Sequence, residues 1–103
     1  MEGAPSPSLA DLNDTFRHSC MPYLTPGVAA LPDVQGLVQA VRDFNYFNPD
    51  NDPHGEHDFG ALDWYGDRTY WKIDYYDQQL QYWCDPRDPD CQRLLTILLA
   101  SEY

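Results

Sequence analysis

Basic residues are scarce in this chain: 103 residues contain six Lys and Arg against 17 Asp and Glu, a formal net charge of −11. That shortage excludes a nucleic-acid-binding surface of its own, since such surfaces need clustered cations to displace counterions from phosphates. Long apolar runs are also missing, and none reaches the length needed to cross a membrane. The opening residues, MEGAPSPSLADLND, have neither a basic start nor an apolar stretch, so no secretory signal is expected and a cytoplasmic protein is. Cysteine is sparse at three, an odd number that argues against a disulfide framework. Cys84 and Cys91 flank a Pro-rich turn and would pair only under oxidising conditions. No Gly-rich phosphate loop occurs. His18, Ser19 and Cys20 adjoin in sequence, but no His and acid stand at a spacing that builds a nucleophile triad, so no enzymatic activity is expected.

What the chain does have is acid and aromatic residues in the same half. Asp43 to Asp90 holds twelve acids and three bases, Arg68, Lys72 and Arg87, together with six of the eight Tyr and all three Trp. Hydrophobic residues make up 43% of the chain and aromatics 15%, enough apolar area to offset chain entropy and fold despite the charge. A chain of this length forms one domain and buries roughly 60–70% of the surface its unfolded form exposes.

Residues 1–7 read as a short disordered lead and residues 8–103 as a single α+β domain. Ser8, with Asp11 three places on, resembles a capping box, and Leu9, Leu12 and Phe16 give a helix to about Arg17. Pro22, Pro26 and Gly27 make Cys20–Leu31 a loop or short extended piece. A second helix is expected from Pro32 and Asp33, with Val34, Leu37, Val38, Val41 and Phe44 on one face. After a loop over Asn48–His57, strand signals begin at Leu62 and Trp64, and Gly66-Asp67 marks a tight turn. Trp71, Ile73 and Tyr75 then alternate with Tyr70, Lys72, Asp74 and Tyr76, and a third strand is expected through Leu80, Tyr82 and Trp83. Asp88-Pro89-Asp90 reads as the start of a last helix carrying Leu94, Leu95, Ile97, Leu98 and Leu99. The expected order is therefore α-α-β-β-β-α, a three-stranded antiparallel meander with helices packed on one face.

Three stretches, DNDPHGEHDFG, WKIDYYD and LTILLASEY, resemble a family of small bacterial proteins classed as a domain of unknown function and common on plasmids and other mobile elements. The resemblance runs from about Leu12 to Tyr103 and implies no particular activity. In size and charge the chain is also similar to anti-CRISPR proteins, which block the DNA-binding surfaces of CRISPR effector complexes. That similarity implies a type I CRISPR surveillance complex as partner.

Two constellations compete for a functional role. The loop Asp50, Asp52, His54, Glu56, His57 and Asp58 is rich in ligand-type side chains. Set as a calcium loop it fails, because Ala61 stands at the twelfth position where a bidentate Glu is required. As an alternative, His54, His57 and Asp58 would supply a zinc or iron site in a small metal-binding domain, a hydrolase or lyase; Pro53 and Gly55 oppose the helix that brings such a pair together. The leading expectation needs no metal and no cofactor. Asp50, Asp52, Glu56, Asp63, Asp74 and Asp77 supply charge, and Tyr70, Tyr76 and Trp83 serve as anchors, on an acidic face that fits a basic nucleic-acid-binding groove of another protein. Same-face strand residues repeat every ~6.6–6.8 Å, a spacing able to array carboxylates as DNA arrays phosphates. The expected partner is such a basic surface, not nucleic acid or membrane, and the chain is expected as a monomer or homodimer.

Overall fold

The computed structural model describes residues 7–103, so the expected lead falls outside the described residues except for Pro7. The chain is α+β, with elements in the order α1 (Leu9–Ser19), β1 (Tyr23–Leu24), α2 (Pro26–Ala29), α3 (Val34–Arg42), β2 (Phe59–Trp64), β3 (Asp67–Tyr76) and β4 (Gln92–Leu99), followed by a 3₁₀ turn, Ala100–Glu102. The strands form one four-stranded sheet in the spatial order β1-β4-β3-β2. Only β1 and β4 pair in parallel; the other two ladders are antiparallel.

Local chemistry sets the helix starts. Ser8 and Asp11 exchange backbone-to-side-chain hydrogen bonds of 3.2 and 3.0 Å, the capping box expected at α1. Asp33 takes the left-handed conformation (φ 50°, ψ 52°) and its carboxylate accepts from Gly36 N, opening α3. The β2–β3 hairpin turns at Tyr65 and Gly66, both at positive φ (50° and 87°), as a two-residue loop between right-twisted strands requires.

The core lies between the sheet and the helices. Val28, Leu37 and Val41 pack against Trp71, Ile73, Tyr75, Leu95 and Ile97. The α1 helix sets Asn13 and Arg17 against Tyr75 and Trp71. All three helices therefore cover one face of the sheet.

Two expected elements are replaced. The segment expected as the last helix is β4, paired with β3 over eight residues and with β1 on its other side. Leu95, Thr96, Ile97 and Leu98 are buried in succession, so the continuous apolar run is that of an interior strand covered on both faces. Asp88 is a turn residue here: its carboxylate accepts from Asp90 N (2.9 Å) and its carbonyl from Cys91 N (3.0 Å).

The expected third strand is largely a loop, with β4 along one edge of β3 and β2 along the other as far as Lys72. Beyond the start of β2, which pairs Phe59 with Lys72, one edge of β3 is open, and there Trp83 bridges Tyr76. Leu80, in the left-handed region at φ 58°, and Tyr82 are 58% and 70% exposed rather than core. The three-stranded meander is thus corrected to a hairpin joined to β4 and the short parallel β1.

Gly60 sits where only hydrogen fits. A methyl group there would collide with the indole of Trp71, which is fully buried and cannot withdraw. Gly60→Ala is expected to lower stability by ~1–3 kcal/mol through overpacking. The check is the urea midpoint, with an unchanged slope showing that the fold itself is kept.

Candidate functional site

The polar centre of the molecule is built from one stripe of α1. Leu9, Asn13 and Arg17 recur every fourth residue and all three are buried, while Leu12 and Phe16, expected to form the inner face, are only partly covered. Arg17, 1% exposed, lies with its guanidinium carbon 4.8 Å from the ring centre of Trp71 and 5.6 Å from that of Phe47. Its Nε donates to Val41 O (3.0 Å), one Nη to Phe44 O (2.8 Å) and the other to Asp14 Oδ1 (3.0 Å). A buried cation is thereby neutralised by a carboxylate and by carbonyls at the C-terminal end of α3, where the helix dipole favours positive charge.

Asn13 does the same for two loops. Its amide nitrogen donates to Glu56 O (2.9 Å) and to the Tyr75 hydroxyl (2.8 Å), and its carbonyl accepts from Arg93 Nε (2.7 Å). Arg93 in turn donates to Pro86 O (2.7 Å) and covers the Tyr75 ring. The 52–58 and 84–91 loops are thereby fastened to each other at the end of the sheet where β3 stops.

Within the first of these loops, His57 adopts φ 55° and its backbone N–H faces the Asp52 carboxylate (3.3 and 3.4 Å). Its ring stacks on Phe47, with centres 3.8 Å apart and planes 5° from parallel. Nδ1 lies 3.0 Å from Asp14 and Nε2 3.6 Å from Asp52, so a carboxylate faces each ring nitrogen. Burial first, and then the neighbouring Glu56 charge, pushes the Asp58 carboxyl up to about 6. Burial also raises the Tyr75 phenol to about 12, against the opposing hydrogen bond from Asn13. This arrangement clamps a loop.

It does not assemble the alternative metal centre. His54 is exposed, His57 is engaged by Asp14 and Asp52, and Asp58 pairs with Glu56. Among the described residues, no group of three or more His, Cys, Asp or Glu is placed to hold a metal ion.

The residues expected to bind a partner divide into two sets. On the sheet face away from the helices, Asp63 pairs with Arg68 (3.2 Å) and Asp74 with Lys72 (3.1 Å). On the same face Tyr70 packs with Phe59 and Tyr103, ring centres 5.2 and 5.6 Å away. Tyr76 is partly covered and bridged by Trp83. That face is accordingly aromatic and charge-balanced rather than acidic.

The loops hold the unbalanced acid. Asp52 is turned inward, and Glu56 is partly covered. Asp50 is exposed, and Asp77 uses its carboxylate to accept from Gln81 N (2.9 Å). Asp85, Asp88 and Asp90 project from the 84–91 loop, next to Tyr82 and Trp83, which are 70% and 71% exposed. Sequence reasoning missed Asn13, Asp14, Arg17 and Arg93; the four-residue spacing of Leu9, Asn13 and Arg17 was the available signal.

Because Asp58 holds its proton more tightly in the fold than in the unfolded chain, the folded state binds more protons between about pH 4 and 6. Its contribution to stability is therefore present at low pH and is lost as pH rises through about 6. Asp58→Asn, which stays neutral, is expected to gain stability relative to the parent chain as pH rises from 4 to 7. Denaturation midpoints across that range provide the check; parallel curves would contradict the raised carboxyl.

No helix among the described residues is long and apolar enough to cross a membrane. A search of curated proteins and of solved structures finds no match to the chain. Residues 24–102 match a family described as protein of unknown function (DUF3768), a span that includes β2 to β4, α2, α3 and both acidic loops but not α1. The chain belongs to that family.

Proposed function

We propose that this protein is a non-catalytic inhibitor that uses its acidic loops to occupy a basic, nucleic-acid-binding surface of another protein, with a type I CRISPR surveillance complex as the first partner to test. The observation that carries the reading is the placement of the cations. Of the six Lys and Arg, three turn inward: Arg17 and Arg42 donate to backbone carbonyls, and Arg93 to Asn13 and Pro86 O. Two more, Arg68 and Lys72, are paired on the sheet face. Arg87 is left as the exposed cation among the acids of the 77–91 loop.

Such a surface attracts a basic groove over about 10 Å at 0.1 M salt, the distance at which screening sets in. Attraction of this kind raises the association rate, while buried aromatic anchors slow release. Tyr82 and Trp83, beside Asp85 and Asp88, supply such anchors.

Asparagine accepts the same turn hydrogen bonds as aspartate, so Asp85→Asn with Asp88→Asn removes charge without removing the turns. In an electrophoretic shift assay, the protein is expected to abolish target-DNA binding by the surveillance complex at low salt and to lose this effect at high salt. The double Asn variant, and separately Trp83→Ala, are expected to need about tenfold more protein for the same effect, ~1.4 kcal/mol each. Undisturbed DNA binding removes this partner, and full potency of both variants removes the loop as the contact.

A further inference from the structure

We infer that the acidic 84–91 loop carries a covalent modification site: Cys84 and Cys91 join in a reversible intramolecular disulfide by exchange with a low-molecular-weight disulfide. The segment CDPRDPDC is two turns in tandem. Asp85 and Asp88 each open one, and Pro86 and Pro89 follow at the position where a fixed φ is favoured. The closing hydrogen bonds run from Asp88 N to Asp85 O (2.9 Å) and from Cys91 N to Asp88 O (3.0 Å). The Asp85 and Asp88 carboxylates brace the same turns, accepting from Arg87 N and Asp90 N (2.9 Å each). Each turn returns its ends to within about 7 Å, so the loop doubles back instead of spanning the ~24 Å open to it when extended.

Both ends of the loop are tied to the same stretch of β3. Cys84 N donates to Tyr75 O (3.3 Å), Gln92 pairs with Tyr76, and Arg93, paired with Tyr75, reaches over to Pro86 O (2.7 Å). Trp83 bridges Tyr76, so Cys84 lies opposite Tyr75, and Cys91 packs against the core that contains Tyr75. Both thiols are therefore on the helix side of the sheet. Partial burial first, then Asp88, the Cys91 thiol and Asp85, hold the neighbouring Cys84 thiol above its ordinary value. Both cysteines remain partly exposed, open to a small reagent. Cys20 sits apart at the C-terminal cap of α1, with Arg42 and Arg17 as its charged neighbours.

In the exchange, one cysteine thiolate attacks the small disulfide and expels a thiolate; the second then displaces the other half from the mixed disulfide. The protein gives up two electrons and two protons, and the small disulfide leaves as two thiols. The surrounding acids repel anionic disulfides, so a cationic one, cystamine, is the probe. The full chain is equilibrated with cystamine and cysteamine, without and with concentrated urea, then acid-quenched, alkylated and weighed by mass spectrometry. The native protein is expected to take one alkyl group, at Cys20, in place of three, to carry no cysteamine, and to yield a peptide cross-linked from Cys84 to Cys91. The equilibrium constant for ring closure is expected to be at least about tenfold larger in the native protein than in urea, because the fold already holds the ends together. Thiols that stay reduced, cysteamine retained at Cys84 or Cys91, or a bridge to Cys20 overturn the inference. So does ring closure that is no more favourable in the fold than in urea. No partner enters the measurement, so its outcome is independent of the proposed inhibition.

Discussion

The buried guanidinium of Arg17 is the constraint on which the rest of this fold depends. It touches α1 through Asp14, the end of α3 through Val41 and Phe44, and the sheet through Trp71. A charge so deeply covered is tolerated only when its donors are matched, because an uncompensated buried ion costs several kcal/mol. Matching them fixes where the chain leaves α3, and hence where Phe47 lies for His57 to stack on. One step along the same stripe, Asn13 extends the matching to Tyr75, Glu56 and Arg93. A polar row on a helix thus positions both acidic loops.

Surface charge follows from this interior chemistry. In most small proteins cations are spread over the outside, where they dilute the field of the acids. Here Arg17, Arg42 and Arg93 serve as internal fasteners for loops and helix ends. The acids of the loops accept backbone N–H bonds within their own turns, as Asp77, Asp85 and Asp88 do, and remain at the surface with their charge. The sheet face keeps its own small balance of charges. Segregation of this kind gives one molecule an acidic end and a charge-balanced aromatic side.

Much of the fold was legible where a local rule acts alone. The capping box at Ser8, the Asp33 start of α3 and the alternation of Trp71, Ile73 and Tyr75 all rest on contacts within a few residues. The run from Leu94 to Leu99 was not legible, because a strand buried on both faces and a buried helix show the same continuous apolar pattern. Pairing with β1, a two-residue strand far away in sequence, is part of what makes it a strand, and no local signal announces that. The segment at Leu80–Trp83 alternates as a strand does, but β2 takes most of that edge of β3, and of the segment Trp83 alone is bridged to it, at Tyr76. Of the site, the His57 loop was visible as a cluster of ligand-type residues. Its true partner, Asp14, lies 43 residues away on a helix and was invisible without the fold.

The same interactions explain why the ligand-like loop is a clamp. A metal site needs lone pairs that converge on an empty point, and a clamp needs donors that converge on acceptors. His57 stands between the carboxylates of Asp14 and Asp52, and the Glu56 charge stands beside the half-buried Asp58. His57, Asp52 and Asp58 are thus turned toward other parts of the protein, while His54 is exposed. The left-handed backbone at His57 fits this reading, since it turns the backbone N–H toward Asp52 while the ring reaches Asp14 and Phe47. Strain held at that residue is balanced by hydrogen bonds inside the chain, and the loop's remaining acid, Asp50, faces solvent. The chemistry of the loop is therefore directed inward to hold its shape, and what it offers outward is charge.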